Sequence, residues 1–114
     1  MKRNHTSFKD LLVIELATVL AGPSVGMFFA ELGARVIKVE NPLTNGDVTR
    51  SWKTSAEDPE SDLSAYFLSA NWGKESIGVD LSRSEGQDIV HQLIKKADIL
   101  LVNFKPGDAA KLGM

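Results

Sequence analysis

The spacing of hydrophobic residues between positions 11 and 40 changes twice. Residues 11–16 begin with a short, nearly continuous apolar run, which is typical of a strand buried on both faces of a parallel sheet. An apolar stripe then predicts a helix, with Gly22 at its N-cap, Pro23 in its first turn and Gly33 at its end. Residues 35–39 are a second apolar run, so the unit predicts two parallel strands joined by a right-handed crossover. The stripe consists of Val25, Phe28, Phe29 and Leu32.

A second strand, helix and strand follow in the later part of the chain. Residues 76–81 predict a strand, and Ser82 with Glu85 matches a capping box at the start of a helix. Residues 98–102 predict the next strand, and Asp108 begins a further helix. Two such units predict an α/β fold, a Rossmann-like parallel sheet with flanking helices that is incomplete at its C-terminus. The apolar stripe of the second unit's helix is Ile89, Val90, Leu93, Ile94 and Ala97.

The segments outside these units are less regular. Residues 1–10 predict a loose lead-in, and residues 41–62, rich in charge and turn residues, predict a long loop. Trp52 in this loop is either an anchor folded onto the domain or a contact to a ligand or partner. Residues 63–70 predict a short helix.

Composition excludes several classes of function. With 114 residues we expect one domain or part of one, and a net charge of −2 with mixed signs provides no basic field for nucleic acid. The chain has no cysteine and no apolar run long enough for a membrane span, so we expect a cytoplasmic protein. His5 and His91 have no metal-ligand spacing, and His91 is expected to be solvated, so no metal site is predicted.

A dinucleotide site is one interpretation of the first unit, because Glu40 ends the second strand where a ribose-binding carboxylate would lie. The glycine pattern argues against it. The fingerprint G-x-G-x-x-G would need glycine at Ser24 and Met27, and Pro23 lacks an amide for a pyrophosphate. In a parallel sheet the ligand is instead expected outside the carboxyl ends of the strands.

Seven segments in order resemble those of one family. They are residues 20–23, 32–40, 46–50, 66–71 with Lys74, 80–81, 96–98 and 103–107. From Leu11 to Met114 the chain resembles the amino-terminal part of the class III CoA-transferases, which include formyl-CoA and carnitine-CoA transferases and the α-methylacyl-CoA racemases. The resemblance implies that residues 1–114 are the CoA-binding part of such a domain, truncated relative to the family.

The resemblance also implies a coenzyme A site at the strand ends. Phe104 would stack on adenine, with a place in the core as the alternative, and Lys105 and Lys111 would meet phosphates unless they are merely solvated. Asp80 is either a carboxylate at the coenzyme edge or the partner of a nearby amide. The implied coenzyme-binding residues are Leu20, Ala21, Val79, Asp80, Leu81, Ser82, Asn103, Phe104, Lys105 and Lys111.

The chain departs from the family pattern at four of its positions. Asn41 stands where some members have an arginine, Ser82 where lysine is common, and Val102 where a glutamate usually precedes Asn-Phe. Lys111 replaces an arginine, which keeps the charge but loses the bidentate fork. These changes predict weaker phosphate binding.

Catalysis in the family uses an aspartate whose carboxylate attacks the acyl-CoA thioester to give a mixed anhydride, and the CoA thiolate then returns to form an enzyme thioester. Asp47, Asp80 and Asp98 do not lie in the motif of that nucleophile, so no catalytic residue is predicted here. The implied partners are acyl-CoA and carboxylic acid substrates, with a homodimer in the full-length protein. The alternatives are a racemase-like fragment or a non-catalytic nucleotide-binding or interaction module.

Overall fold

The computed structural model describes residues 7–114, so His5 and most of the predicted lead-in lie outside the described residues. Strands and helices alternate along the chain, with two short 3-10 helices, Pro42–Thr44 and Val48–Ser51, in the long loop. The main elements are β1 Leu12–Leu16, α1 Ala21–Glu31, β2 Arg35–Glu40, α2 Ala65–Asn71, β3 Glu75–Gly78, α3 Ser84–Lys96, β4 Ile99–Val102 and α4 Asp108–Lys111.

The four strands form one parallel sheet in the order β3-β2-β1-β4. Val13 of β1 lies opposite Val36 of β2 on one side and Ile99 of β4 on the other. The prediction of an α/β fold with a parallel sheet and flanking helices is therefore confirmed.

Successive side chains of the strands serve two separate cores, because alternate residues of a strand point to opposite faces. Ile14 packs with Val90 of α3, whereas Val13 and Val36 pack with Phe29 of α1. Ile14, Val13 and Val90 are completely buried, and each stabilises the fold by about 1.5–3 kcal/mol. The two helices therefore cover opposite faces of the sheet.

The first helix differs from its prediction at one end. Its N-cap is Leu20 and not Gly22, so the predicted cap was wrong. Gly22 lies inside the first turn, and only glycine fits there because a Cβ would collide with Ala17. Pro23 is in the first turn as predicted, and Gly33, with φ of 99°, follows the helix end in the left-handed conformation.

The second unit also differs locally. The strand predicted at residues 76–81 covers only Glu75–Gly78. The predicted capping box was wrong, since Arg83 is the N-cap of α3 and makes no side-chain cap hydrogen bond. The hydroxyl and the amide of Ser82 both donate to Asp80 Oδ1, at 2.6 and 3.0 Å, so Ser82 belongs to a turn with Asp80 and the helix begins at Ser84.

The long loop is anchored on the domain. The Trp52 ring meets Tyr66 of α2 edge to face, with 5.1 Å between the ring centroids. This contact supports the anchor interpretation of Trp52, although 45% of the residue remains exposed. Ser64 caps α2 by accepting a hydrogen bond from the Phe67 amide at 2.9 Å.

Within residues 7–114, no helix has the length and apolar character that a membrane crossing requires.

Candidate functional site

The ends of β1 and β4 are joined by one side chain. Asn103 follows β4, and its Oδ1 accepts a hydrogen bond from the Thr18 amide at 3.1 Å while its Nδ2 donates to the Thr18 carbonyl at 2.7 Å. Both halves of the Asn103 amide are thus used on the β1–α1 loop. Asn103 therefore fixes the β1–α1 loop, which leads to Leu20 and Ala21 of the predicted site.

The next residue of this loop has an unusual backbone. Val19 has φ of 71°, a left-handed conformation that is a true outlier for a β-branched residue. Its amide points at the carboxylate of Asp47, 3.3 and 3.4 Å from the two oxygens. Leu20 is half exposed and Ala21 is exposed, and in residues 7–114 the amides of Ala21 and Gly22 have no protein partner. The loop therefore presents backbone N–H donors, unpaired among the described residues, at the carboxyl end of the sheet.

The segment after β3 has mostly internal contacts. Val79 is buried and Leu81 half-buried, and both belong to the core beneath α3. Asp80 accepts hydrogen bonds from the hydroxyl and the amide of Ser82, which lower the pKa of Asp80. These bonds support the interpretation of Asp80 as the partner of a nearby amide. Ser82 is exposed.

Phe104 and the two candidate lysines have different surroundings. Phe104 is half-buried and packs with Met114 against the core beneath α3. Lys105 is exposed, and the side chain of Lys111 is 78% exposed with its Nζ 3.5 Å from Asp108. Phe104 can offer a ligand only the part of its ring that the core leaves open, whereas the side chains of both lysines are exposed.

The structure divides the predicted coenzyme-binding residues into two groups, with Lys105 and Lys111 outside both. Leu20 and Ala21 lie on the loop that Asn103 binds. Val79, Leu81 and Phe104 share the α3 core, with Asp80 and Ser82 between or beside them in the chain. Within residues 7–114, no side-chain hydrogen bond or ion pair joins Lys105 or Lys111 to either group.

Glu40 is not available to a ribose. Its carboxylate is bound by Arg50 through two hydrogen bonds of 2.8 and 2.7 Å, by the Asp47 amide at 2.7 Å and by the Ser76 hydroxyl. Burial raises the pKa of Glu40, but these donors outweigh it and lower the pKa to about 2. The carboxylate that the dinucleotide interpretation assigned to the ribose is therefore already occupied.

Sequence reasoning missed a buried charge network on the α1 side of the sheet. Lys38 Nζ lies 2.9 Å from Glu15 Oε2, 3.0 Å from Asp47 Oδ2 and 2.8 Å from the Ala17 carbonyl. Lys74 Nζ lies 2.7 Å from Glu15 Oε1. Glu15, Lys38 and Asp47 are each no more than 2% exposed. The network ties β1, β2, the long loop and the turn before β3 together.

Two carboxylates and two ammonium groups define the electrostatics of this network. Burial raises the pKa of Asp47, yet the Thr49 amide and Lys38 outweigh it and hold the pKa below its ordinary value. Burial lowers the pKa of Lys74, and Glu15 offsets this only in part. The signal in the sequence was the pair Glu15 and Lys38, one in each apolar strand, which the parallel register places side by side.

A separate cleft of about 960 Å³ opens between the end of β2 and the loop of residues 41–62. It contains none of the predicted coenzyme-binding residues. Its two basic side chains are already occupied, Arg50 by Glu40 and Lys53 by the carbonyls of Asp58 and Ser61. A polyphosphate therefore finds no free cation among its lining residues.

Of two family departures in the structure, only the first has a local role. Asn41 caps the first 3-10 helix by accepting a hydrogen bond from the Leu43 amide at 2.9 Å. Val102 is 46% exposed at the end of β4. Neither side chain replaces the charge expected there.

In residues 7–114 no group of three or more metal-ligating side chains is found. The expectation that His91 is solvated was wrong, because the residue is half-buried on α3 with its ring close to Gly113. Its Nε2 is buried and, among the described residues, has no hydrogen-bond partner.

Comparison with known proteins identifies the class. Residues 8–114 match the model of CoA-transferase family III, and the chain belongs to this family. The chain is 47% identical over 117 aligned residues to a succinate–glutarate CoA-transferase of Agrobacterium fabrum, covering 100% of the chain and 29% of that protein. It is 42% identical to an acetyl-CoA:oxalate CoA-transferase of Acetobacter aceti, covering 93% of the chain and 26% of that protein.

The fold agrees with a solved structure. A crystal structure of a CAIB/BAIF family protein from Brucella suis superposes with a TM-score of 0.83 at 42% identity, over 96% of this chain and 29% of that one. The chain thus spans less than a third of the length of the relatives it matches, and it corresponds to the amino-terminal part of their fold.

Proposed function

We propose that this chain binds coenzyme A and its thioesters at the carboxyl ends of β1, β3 and β4, as the CoA-binding part of a CoA-transferase. In the whole protein, CoA passes between carboxylic acids through an aspartyl intermediate. One observation carries the proposal: the β1–α1 loop, fixed by Asn103, presents exposed Leu20 and Ala21, and the amides of Ala21 and Gly22 have no protein partner in residues 7–114.

The donor groups suit the chemistry of this ligand. Free amides at the start of α1 suit a carbonyl or anionic oxygen, and the exposed side chain of Leu20 suits an alkyl arm. Lys105 and Lys111 are free to approach phosphates. With no buried cation assigned to the phosphates, we infer that phosphate binding depends strongly on salt.

The remaining features of the proposal concern the whole protein. The substrates are an acyl-CoA and an acceptor carboxylic acid, the assembly is a homodimer and the compartment is the cytoplasm. Because Asp47 and Asp80 are both held by internal hydrogen bonds, neither supports a role as the nucleophile.

Calorimetry with CoA on the 114-residue chain tests the proposal. Lys105→Ala is expected to weaken binding several-fold, by about 0.5–1 kcal/mol for an exposed charge pair. Lys95→Ala is the matched control, because Lys95 is an exposed lysine in the last turn of α3. Failure of CoA to bind, or an equal effect of both variants, would overturn the proposal.

Incubation of the chain with acyl-CoAs and free acids tests the catalytic part. We expect neither exchange of CoA nor a covalent mass shift after hydroxylamine or borohydride trapping. Turnover that Asp47→Asn or Asp98→Asn abolishes would contradict the prediction that neither aspartate is the nucleophile.

A further inference from the structure

The β1–α1 loop is held from two sides by side chains that are distant in sequence. Asn103 binds both backbone groups of Thr18, and Asp47 accepts from the Val19 amide. The two anchoring residues come from the long loop and from the segment after β4. Between these two anchors Val19 adopts its left-handed backbone.

This conformation needs an external cause. A valine in the left-handed region persists only where its surroundings over-determine it, and such outliers cluster at ligand sites. Asp47 is well suited to be that cause because it is itself immobile: it is 2% exposed, and Lys38 and Thr49 bind its two oxygens at 3.0 and 2.8 Å. The carboxylate therefore presents a fixed acceptor to Val19.

We propose that Asp47 is a positioning residue of the acyl-CoA site, which holds Val19 in the left-handed conformation and so aims the amides of Ala21 and Gly22 at the ligand. The inference rests on the proposed function, since it names a residue that prepares that same site. Asp47 acts through the backbone of Val19 and does not itself touch the coenzyme. The buried Lys38 supplies the charge that keeps Asp47 ionised and in place.

The first test replaces the acceptor. In Asp47→Asn an amide nitrogen faces either Thr49 or the pair of Lys38 and Val19, so one set of donors loses its acceptor. We expect CoA to bind about tenfold more weakly, as the loss of a strained preorganised loop implies. Ser64→Ala is the matched control, because it removes a buried hydrogen bond to the Thr49 carbonyl, together with the cap of α2, and does not alter the contact between Asp47 and Val19.

A rescue separates positioning from general loss of stability. Glycine adopts a positive φ without cost, so Val19→Gly in the Asp47→Asn background should restore most of the lost affinity. A purely structural role of Asp47 predicts no such recovery. Equal affinity of Asp47→Asn and the parent, or no recovery in the double variant, would overturn the inference.

A second variant covers the case in which Asp47→Asn does not fold. Replacing the Val19 residue with its α-hydroxy acid turns the amide into an ester, which removes the N–H donor and leaves the Asp47 and Lys38 pair intact. CoA affinity should again fall about tenfold, since the same preorganisation is lost. Unchanged affinity would sink the proposal.

Amide hydrogen exchange distinguishes failure of the positioning role of Asp47 from failure of the proposed function. If the parent chain does not bind CoA at all, the proposed function fails and the positioning role with it. If CoA binds and Val19 exchanges equally fast in the parent and in Asp47→Asn, only the role of Asp47 fails. We expect faster exchange at Val19 in Asp47→Asn, with Ser64→Ala unchanged.

Discussion

Charged side chains in this protein form ion pairs inside the domain and not only at its surface. Glu15, Asp47 and Glu40 are neutralised by Lys38, Lys74 and Arg50, so the buried groups sum to no net charge. Such a set adds little net stability over an apolar core, yet removing one partner leaves an uncompensated charge and costs about 3–5 kcal/mol. The consequence is high sensitivity to single substitutions.

Gly26 of α1 is one such sensitive position. A Cβ at Gly26 would collide with Glu15 Oε1 and crowd the stem of Lys74. We expect Gly26→Ala to lower the free energy of unfolding by about 2–4 kcal/mol, measured by urea titration. Gly78→Ala is the control, because its Cβ would meet Pro42 at an ordinary 3.6 Å. Equal stability of the two variants would contradict the close packing of Glu15 against α1.

Glu40 makes the stability depend on pH. Its folded pKa of about 2 lies below the ordinary value of 4.5, so the folded state binds this proton less readily than the unfolded state. The stabilisation is therefore complete above about pH 4.5 and is lost as the pH falls towards about 2.

The measurement is the midpoint of thermal unfolding across that range. Glu40→Gln should be less stable than the parent at neutral pH and lose less on acidification, because it cannot take up the proton. Parallel pH profiles of the two chains would contradict the assignment to Glu40.

At the scale of elements, periodicity predicted what depends on burial alone. The apolar runs placed β1, β2 and β4, and the stripe with Val90 and Leu93 placed α3, because hydrophobic spacing and packing agree there. The ends were less predictable. Ser82 matched a capping box, but in the structure its hydroxyl donates to Asp80 and the helix begins at Ser84. The choice between such local hydrogen bonds depends on the fold.

The candidate site shows the same division. Parallel strands have their carboxyl ends on one side of the sheet, so the neighbourhood of Leu20 and Ala21 was within reach of the sequence, whereas the strand order was not, because β3 and β4, which α3 joins, lie at opposite edges. The contact between Val19 and Asp47 was not, because it spans 28 residues and depends on a loop without a periodic pattern. The buried pair of Glu15 and Lys38 was missed for another reason, because charged side chains are not expected to be buried within apolar strands.

Arg50 fixes the long loop to the sheet and to α2. Its guanidinium binds Glu40 through two hydrogen bonds, donates to the Asp62 carbonyl at 3.2 Å and lies 3.9 Å from the centre of the Phe67 ring. Arg50→Lys keeps the charge but loses the fork and the stacked plane. We expect a loss of about 2 kcal/mol and faster proteolytic cleavage within residues 41–62.

Arg35 provides the matched comparison for this prediction. It also meets a carboxylate through two hydrogen bonds, to Glu75, but both side chains are more than half exposed. Arg35→Lys should therefore leave the unfolding midpoint and the cleavage pattern unchanged. If Arg35→Lys and Arg50→Lys behave alike, burial is not what makes the Arg50 pair important.

At the scale of the whole molecule, the surface is larger than that of a compact monomer. The accessible surface is 7447 Å², against about 6,100 Å² for a compact protein of this size. The radius of gyration is 14.8 Å, against about 13 Å for a compact domain of this length. Part of the excess is apolar, at Phe28, Trp72, Leu100 and Val102.

The open edge of the sheet at β4 combines this apolar surface with free backbone groups. In the part of the chain that the structure describes, β4 pairs with β1 alone, while Leu100 and Val102 are 38% and 46% exposed. The opposite edge at β3 carries the polar residues Glu75 and Ser76 and is better protected. An exposed edge strand with apolar side chains is a template for pairing with another chain.

We therefore expect the 114-residue chain to associate through β4 as its concentration rises. Sedimentation velocity should detect this, and Val102→Lys should weaken association about tenfold because edge lysines oppose strand pairing. Ile89→Lys is the control, since Ile89 is equally exposed, at 47%, but lies on α3. A chain that sediments as a monomer at all concentrations would contradict the prediction, and an equal effect of both lysines would assign the association to general hydrophobicity instead of the β4 edge.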